Sequence, residues 1–228
     1  MGRKILVCGL LALAAACGPE GQQPAARTSD TEATITDTDA PVVLFLGTSL
    51  TAGLGVSSEQ AYPALIQAKI DSAGLDFRVV NAGISGETSA GGLRRIDWLL
   101  RQPVAVLVLE LGANDMLRGQ DVAAMRANLQ AIIDRTREAR PEARIVVAGM
   151  QAAPNLGEPY ASEFAKAFVE LAEQNNAALI PFLLDDVAGI PELNQPDGNH
   201  PTAEGQAVVS ETVWTVLAPL LRSLEGTA

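Results

Sequence analysis

From Pro41 onward the chain alternates short, unbroken apolar runs with longer segments whose apolar residues recur at helical spacing. This alternation constrains the fold more than any other feature. Val42–Leu46, Phe77–Val80, Val104–Leu111, Arg144–Met150 and Ala178–Phe182 are five strand candidates, and Val104–Leu111 is the most apolar of them. Between them, residues 60–72 place Tyr62, Leu65, Ile66 and Ile70 on one face, and residues 88–101 do the same with Leu93, Ile96 and Leu100. Residues 121–140 repeat Val122, Met125, Leu129, Ile132 and Ile133, and residues 159–175 repeat Tyr160, Phe164, Phe168 and Leu171. A last helix over 203–224 carries Val208, Val209, Val213, Val216, Leu217, Leu220 and Leu221 as its buried stripe. Spacings of three and four mark helices that bury one face. Strands apolar on both sides need cover on both sides, which implies a parallel sheet between two helical layers. Right-handed crossovers then give a three-layer α/β/α sandwich of about five parallel strands. Residues 41–228 read as one domain. Ligands of such sheets lie outside the carboxyl ends of the strands. Chemistry is therefore expected in loops 47–58, 81–90, 112–120, 150–158 and 183–202.

Composition narrows the chemistry. The 228 residues are 48% apolar and 19% charged, enough to build a full core. A net charge of −11 repels phosphate backbones, so nucleic acids and polyanionic substrates are poor partners. Only 4% of residues are aromatic, which disfavours base- or sugar-stacking platforms. Two cysteines and one histidine exclude an ordinary His/Cys zinc site, although an all-carboxylate metal site stays open.

The first 17 residues read as an address. Arg3 and Lys4 precede an apolar run, Ile5 to Ala16, that is too short to span a bilayer as a stable helix. Ala14, Ala15 and Ala16 then lead to Cys17. This resembles a bacterial lipoprotein signal, with Cys17 acylated as the new N-terminus, except that Ala14 stands where such signals usually carry Leu. A plain secretory signal cleaved after an Ala-x-Ala pattern is the other reading. Either one sends the protein out of the cytoplasm, to a periplasmic or membrane-anchored location. Residues 18–40 hold almost no large apolar side chain and read as a flexible linker.

Two loops carry the strongest chemical signals. Gly47-Thr48-Ser49-Leu50-Thr51 follows the first strand, and its small residues permit a sharp turn that presents a serine hydroxyl. It is not a phosphate-binding loop, since the lysine is missing, and not a G-x-S-x-G elbow, since Thr51 replaces the second glycine. In Asp197-Gly198-Asn199-His200-Pro201 stands the sole histidine. Its spacing from Asp197 allows the carboxylate to hold Nδ1–H and leave Nε2 for a nucleophile. Ser49 and His200 are both expected at one edge of one sheet. Gly86 N–H and the Asn114 amide are candidate oxyanion donors. A turn requiring positive φ at Gly86 and helix capping by Asn114 are the plainer readings of each taken alone. Leu50, Leu54, Met116, Leu117, Leu156 and Ile190 lie in or beside these loops, as an acyl groove or as ordinary loop packing.

Four loops match, in order, the blocks of the SGNH (GDSL-type) hydrolase family: Gly47-Thr48-Ser49-Leu50, Gly86, Gly112-Ala113-Asn114-Asp115, and Asp197-Gly198-Asn199-His200-Pro201. The resemblance spans residues 41–223. The phrases LGTSLTAGLGV, VVNAGISGETSAGGL and LGANDMLRG are most similar to the bacterial thioesterase I/lysophospholipase L1 and arylesterase branch. The resemblance implies a flavodoxin-like sandwich and no metal or organic cofactor. It implies Ser49 as nucleophile, His200 as base and Asp197 as its orienting acid. The oxyanion hole would be the Ser49 N–H, the Gly86 N–H and the Asn114 side chain. Thr48 stands where the family has Asp. It keeps a hydroxyl acceptor and removes a negative charge beside the site, so local hydrogen bonding should differ with the chemistry retained.

The expected function is hydrolysis of small acyl esters or thioesters through an acyl-enzyme, by a monomer. A carbohydrate O-acetylesterase is the second enzymatic reading. An envelope lipoprotein that binds acyl lipids without turning them over is a third, of a different class.

Overall fold

All five apolar runs pair into a single sheet. The computed structural model of the chain describes residues 40–152 and 154–226, so the leader read at 1–17 and the linker read at 18–40, Ala40 apart, lie outside the described residues. The strands are β1 (Val42–Gly47), β2 (Arg78–Gly83), β3 (Val104–Glu110), β4 (Arg144–Ala148) and β5 (Ala178–Ile180). They are parallel throughout and ordered β2-β1-β3-β4-β5. Five longer helices cover the sheet: α2 (Tyr62–Ser72), α3 (Ser89–Leu99), α5 (Val122–Ala139), α6 (Glu158–Gln174) and α7 (Ala203–Glu225). Two short ones, α1 (Ser49–Ala52) and α4 (Ala113–Leu117), sit in the loops after β1 and β3. Three helix starts are fixed by side chains that accept from a backbone N–H three residues on, namely Thr88 to Gly91, Asp121 to Ala124 and Thr202 to Gly205.

Alternation along each strand divides the core in two. Leu44, Leu46, Leu107 and Leu109 face α3, α5 and α6, where Ile96, Leu129, Ile132, Phe164 and Phe168 meet them. Val43, Phe45, Val106 and Val108 face α2 and α7, where Tyr62, Ile66, Val213 and Leu217 meet them. The sandwich of five parallel strands is therefore as the periodicity requires.

β4 and β5 end earlier than their apolar runs suggest. Gly149 lies against the backbone of residues 180 and 181, and a Cβ on it would fall 2.3 Å from the Pro181 carbonyl oxygen. Pro181 itself has no N–H to continue the ladder. Met150 and Phe182 thereby leave the sheet and enter the loops.

The crossover through α2 carries the chain from β1 to one side, and the crossover through α3 carries it back past β1 to β3 on the other. The loops leaving β1 and β3 consequently diverge over opposite faces, and a crevice opens between them. At the end of β2, Gly83 brings its backbone directly under α1. A Cβ there would lie 2.3 Å from the Ala52 nitrogen and 2.7 Å from the Thr51 carbonyl carbon. Because both neighbours are backbone, Gly83→Ala should cost about 1–3 kcal/mol of stability and lift α1. A guanidinium unfolding midpoint equal to wild type would show that α1 does not rest on this contact.

Candidate active site

The turn that carries Ser49 starts at a position where nothing larger than glycine fits. A Cβ on Gly47 would fall 2.0 Å from Thr51 Oγ1 and 2.5 Å from Glu110 Oε2. The chain folds back over this glycine into α1, with Ala52 N–H donating to the Thr48 carbonyl at 2.9 Å and Leu54 N–H to the Ser49 carbonyl at 3.0 Å. Ser49 N–H has no acceptor among the described residues.

A carboxylate lies beneath the turn. Glu110, at the end of β3, is completely buried. It accepts Thr48 N–H at 2.7 Å and Thr51 Oγ1–H at 2.7 Å on Oε2, and Thr48 Oγ1–H at 2.9 Å on Oε1. Thr51 N–H adds a longer bond of 3.3 Å. Burial pushes this carboxyl above its usual range, against the hydrogen bonds that lower it. Burial first, and the Glu110 charge second, push the Tyr62 phenol well up. Thr48 was expected to offer an acceptor; its hydroxyl is instead a donor, because its neighbour is a carboxylate.

Opposite, a closed loop presents the histidine. Asn194 and Pro201 bridge antiparallel, and Gln195 N–H donates to the His200 carbonyl at 2.7 Å, so residues 195–200 form a pinned turn with Gly198 at φ 70°. Asp197 Oδ1 accepts Asn199 N–H at 2.9 Å and His200 N–H at 3.0 Å, while Oδ2 accepts His200 Nδ1–H at 2.7 Å. Those contacts, the Asn199 N–H first, pull the Asp197 carboxyl down to about 2. An ionised carboxylate only accepts, so Nδ1 carries the imidazole proton and Nε2 is left as an acceptor. His200 Nε2 lies 2.9 Å from Ser49 Oγ. The structure thus brings Ser49, His200 and Asp197 into one relay. Gln195 Nε2 bridges the Leu54 and Pro201 carbonyls at 2.6 and 2.9 Å, tying the histidine loop to the serine loop. Gln206, at the start of α7, accepts Tyr62 N–H at 2.9 Å.

The other two donors reach the same crevice. Gly86 takes φ 80° and its N–H has no acceptor among the described residues. Turn geometry and a free donor coexist there, and Arg118 holds the Gly86 carbonyl at 2.7 Å. Asn114 lies inside α4 and does not cap it. Its Nδ2 donates one hydrogen to the Glu87 carbonyl at 3.0 Å, which leaves the second hydrogen for the cleft. Glu87 is held by a bidentate pair with Arg95. Ser49, Gly86, Asn114 and His200 all line one cleft of about 670 Å³.

Its apolar wall corrects the sequence reading in part. Leu50, Leu54, Met116 and Leu117 line the cleft. Leu156 and Ile190 do not: Leu156 ends the short turn Pro154–Leu156, Ile190 precedes the turn Pro191–Leu193, and both are exposed. Met150, Phe182, Leu183 and Leu184 take part instead. The early ends of β4 and β5 put them there. Glu110, Gln195 and Gln206 were also missed, and only their isolation as polar residues in apolar or loop surroundings could have marked them.

Residues 45–208 match the GDSL-like lipase/acylhydrolase family. The chain belongs to that family. It is 41% identical over 184 residues to the esterase TesA of Pseudomonas aeruginosa, covering 80% of this chain and 90% of that protein. Over 184 residues it is 36% identical to thioesterase 1/protease 1/lysophospholipase L1 of Escherichia coli, covering 80% and 86%. Among solved structures, the psychrotrophic esterase EstA from Pseudoalteromonas, inhibited by monoethylphosphonate, aligns with a TM-score of 0.75 at 36% identity, over 79% of this chain and 98% of that one. The enzyme is a serine ester hydrolase acting on small acyl substrates.

Since Asp197 is held near 2, its contribution to folding is present above the ordinary carboxylate range and is lost only as pH falls through about 2. Asp197 therefore stays charged wherever the enzyme is assayed. Asp197→Asn should lower kcat at every pH from about 5 to 9, by at least about 100-fold, because the tautomer is lost. A kcat–pH profile in which the loss is confined to one acidic limb would refute this role.

Proposed function

We propose that Ser49 is the nucleophile, His200 the general base and Asp197 its orienting carboxylate. The observation that carries this reading is the 2.9 Å approach of His200 Nε2 to Ser49 Oγ with Asp197 bonded behind the ring. Ser49 Oγ attacks the acyl carbonyl as Nε2 takes its proton, and the carbonyl electrons move onto oxygen. The resulting oxyanion is met by the Ser49 N–H, the Gly86 N–H and the free hydrogen of Asn114 Nδ2, donors already in place before the charge develops. Collapse expels the alcohol or thiol, which leaves with the proton from His200. Water then attacks the acyl-serine with the same base, releasing the acid and the free serine.

The preferred substrates are esters or thioesters with an apolar acyl chain, since Met116, Leu117, Met150, Phe182 and Leu183 wall the cleft beside the serine. The named activities of the relatives, esterase and thioesterase/lysophospholipase, support the same class. We further propose that the enzyme acts outside the cytoplasm as a monomer, tethered through an acylated Cys17. Radiolabelled palmitate should enter wild type and not Cys17→Ala.

Ser49→Ala should lower kcat on p-nitrophenyl esters by at least about 10³-fold. A fluorophosphonate probe, a choice supported by the inhibition of EstA by monoethylphosphonate, should label wild type and leave this variant unlabelled. Undiminished turnover would remove Ser49 from the mechanism. Along a p-nitrophenyl series from acetate upward, kcat/KM should rise up to about fourfold per methylene until the cleft is filled, the worth of burying one CH₂. A flat series would place the acyl chain in solvent.

A further inference from the structure

We propose that Glu110 is a positioning residue for the nucleophile, holding the peptides on either side of Ser49 through Thr48 and Thr51, with Thr48 serving it as a hydrogen-bond donor. The proposal deepens the reading of Ser49 as nucleophile and rests on it.

Glu110 is completely buried, and no Lys, Arg or His pairs with it among the described residues. A buried carboxylate without a cation is a poor means of stabilising a fold, and an apolar side chain of similar size packs at lower cost. Its value lies in what it orients. The Thr48 N–H belongs to the peptide before Thr48, and the Thr51 N–H to the peptide before Thr51. Both turn inward onto Oε2, at 2.7 and 3.3 Å. The Ser49 N–H between them has no acceptor and remains for the cleft.

The hydroxyl protons are also ordered. Thr51 Oγ1 has one hydrogen, and the carboxylate at 2.7 Å takes it. The Tyr62 hydroxyl, 2.7 Å away, must then donate to Thr51. Thr48 Oγ1 gives its hydrogen to Oε1 at 2.9 Å. Four donors, two backbone N–H groups and two hydroxyls, thus converge on the Glu110 carboxylate oxygens. Glu110 does not line the cleft, so it acts on the reaction only through the turn above it. Four residues further on, the same strand end delivers Asn114. The end of β3 and the α4 turn that follows it thus set two of the three proposed oxyanion donors.

Three variants test this: Thr48→Val, which keeps shape and loses the donor, Thr48→Ser, which keeps the donor, and Glu110→Gln, which sets an N–H₂ against the threonine donors. Thr48→Val should lower kcat by about 10- to 30-fold with KM changed less than about threefold, a fraction of the ~10²–10³ that loss of an oxyanion donor costs. Thr48→Ser should recover kcat to within about threefold of wild type. Glu110→Gln should lose about 100-fold or more, and fluorophosphonate labelling of Ser49 should persist but slow by the same factor as kcat. Thermal unfolding checks that each variant is folded at the assay temperature. Thr48→Val and Thr48→Ser both at wild-type kcat, or a change in Tm alone, would overturn the proposal. If Glu110→Gln does not fold, the valine–serine pair decides by itself. Failure of the nucleophile assignment looks different: wild type would then go unlabelled, or Ser49→Ala would stay active.

Discussion

The last residues of β2, β1 and β3 stand side by side in register as Gly83, Gly47 and Glu110. The site depends on this row. Two of the three positions have no side chain, so α1 can settle onto the sheet edge at backbone distance. The third carries a carboxylate that accepts the N–H and hydroxyl groups which the descending turn would otherwise bury unpaired. A larger residue at either glycine would meet Thr51 or Ala52. An apolar residue at 110 would leave two backbone N–H groups and the Thr48 hydroxyl without acceptors. The row also fixes the position of the serine hydroxyl relative to the sheet, because α1 has only four residues in which to wander.

Across the crevice the histidine is held by different means. Asp197 is half exposed and its interactions are local, so it adds little to global stability. Its loop is placed by backbone pairing at its base and by Gln195, which reaches across to the serine loop. A rigid, buried anchor on one side faces a solvated turn on the other.

The sheet and its helices were legible because burial on one or two faces leaves a period in the chain, and helix ends fall within two residues of the periodic segments. The meeting of Ser49, Asp197 and His200 was legible because the chain has one histidine and because parallel topology assigns loops to one edge. Glu110 was not legible. It lies inside the most apolar run of the sequence, just before Leu111, where a lone acid carries no periodic signal of its own, and its burial depends on a turn more than 50 residues away in the chain folding back over it. The cleft wall was half legible for a related reason. Met150 and Phe182 continue apolar strands in the sequence, and only the close backbone approach at Gly149 shows that the sheet has already ended.

At position 48 a threonine stands where the resembled family pattern has an aspartate, and the carboxylate beneath it shows what that side chain does. An aspartate there would set a second carboxyl within hydrogen-bonding distance of Glu110, with no cation nearby. Two such groups in a buried space cannot both ionise, so the pair would have to share a proton. The acid at 48 would then act as an O–H donor to Glu110. Threonine supplies an O–H donor at 2.9 Å with no proton to share and no second charge to desolvate. The carboxyl absent from position 48 has a counterpart one strand over, in Glu110, where it is fully enclosed. What the turn requires at position 48 is a hydrogen-bond donor to the carboxylate beneath it, and a neutral hydroxyl meets that requirement at any pH where Glu110 is ionised.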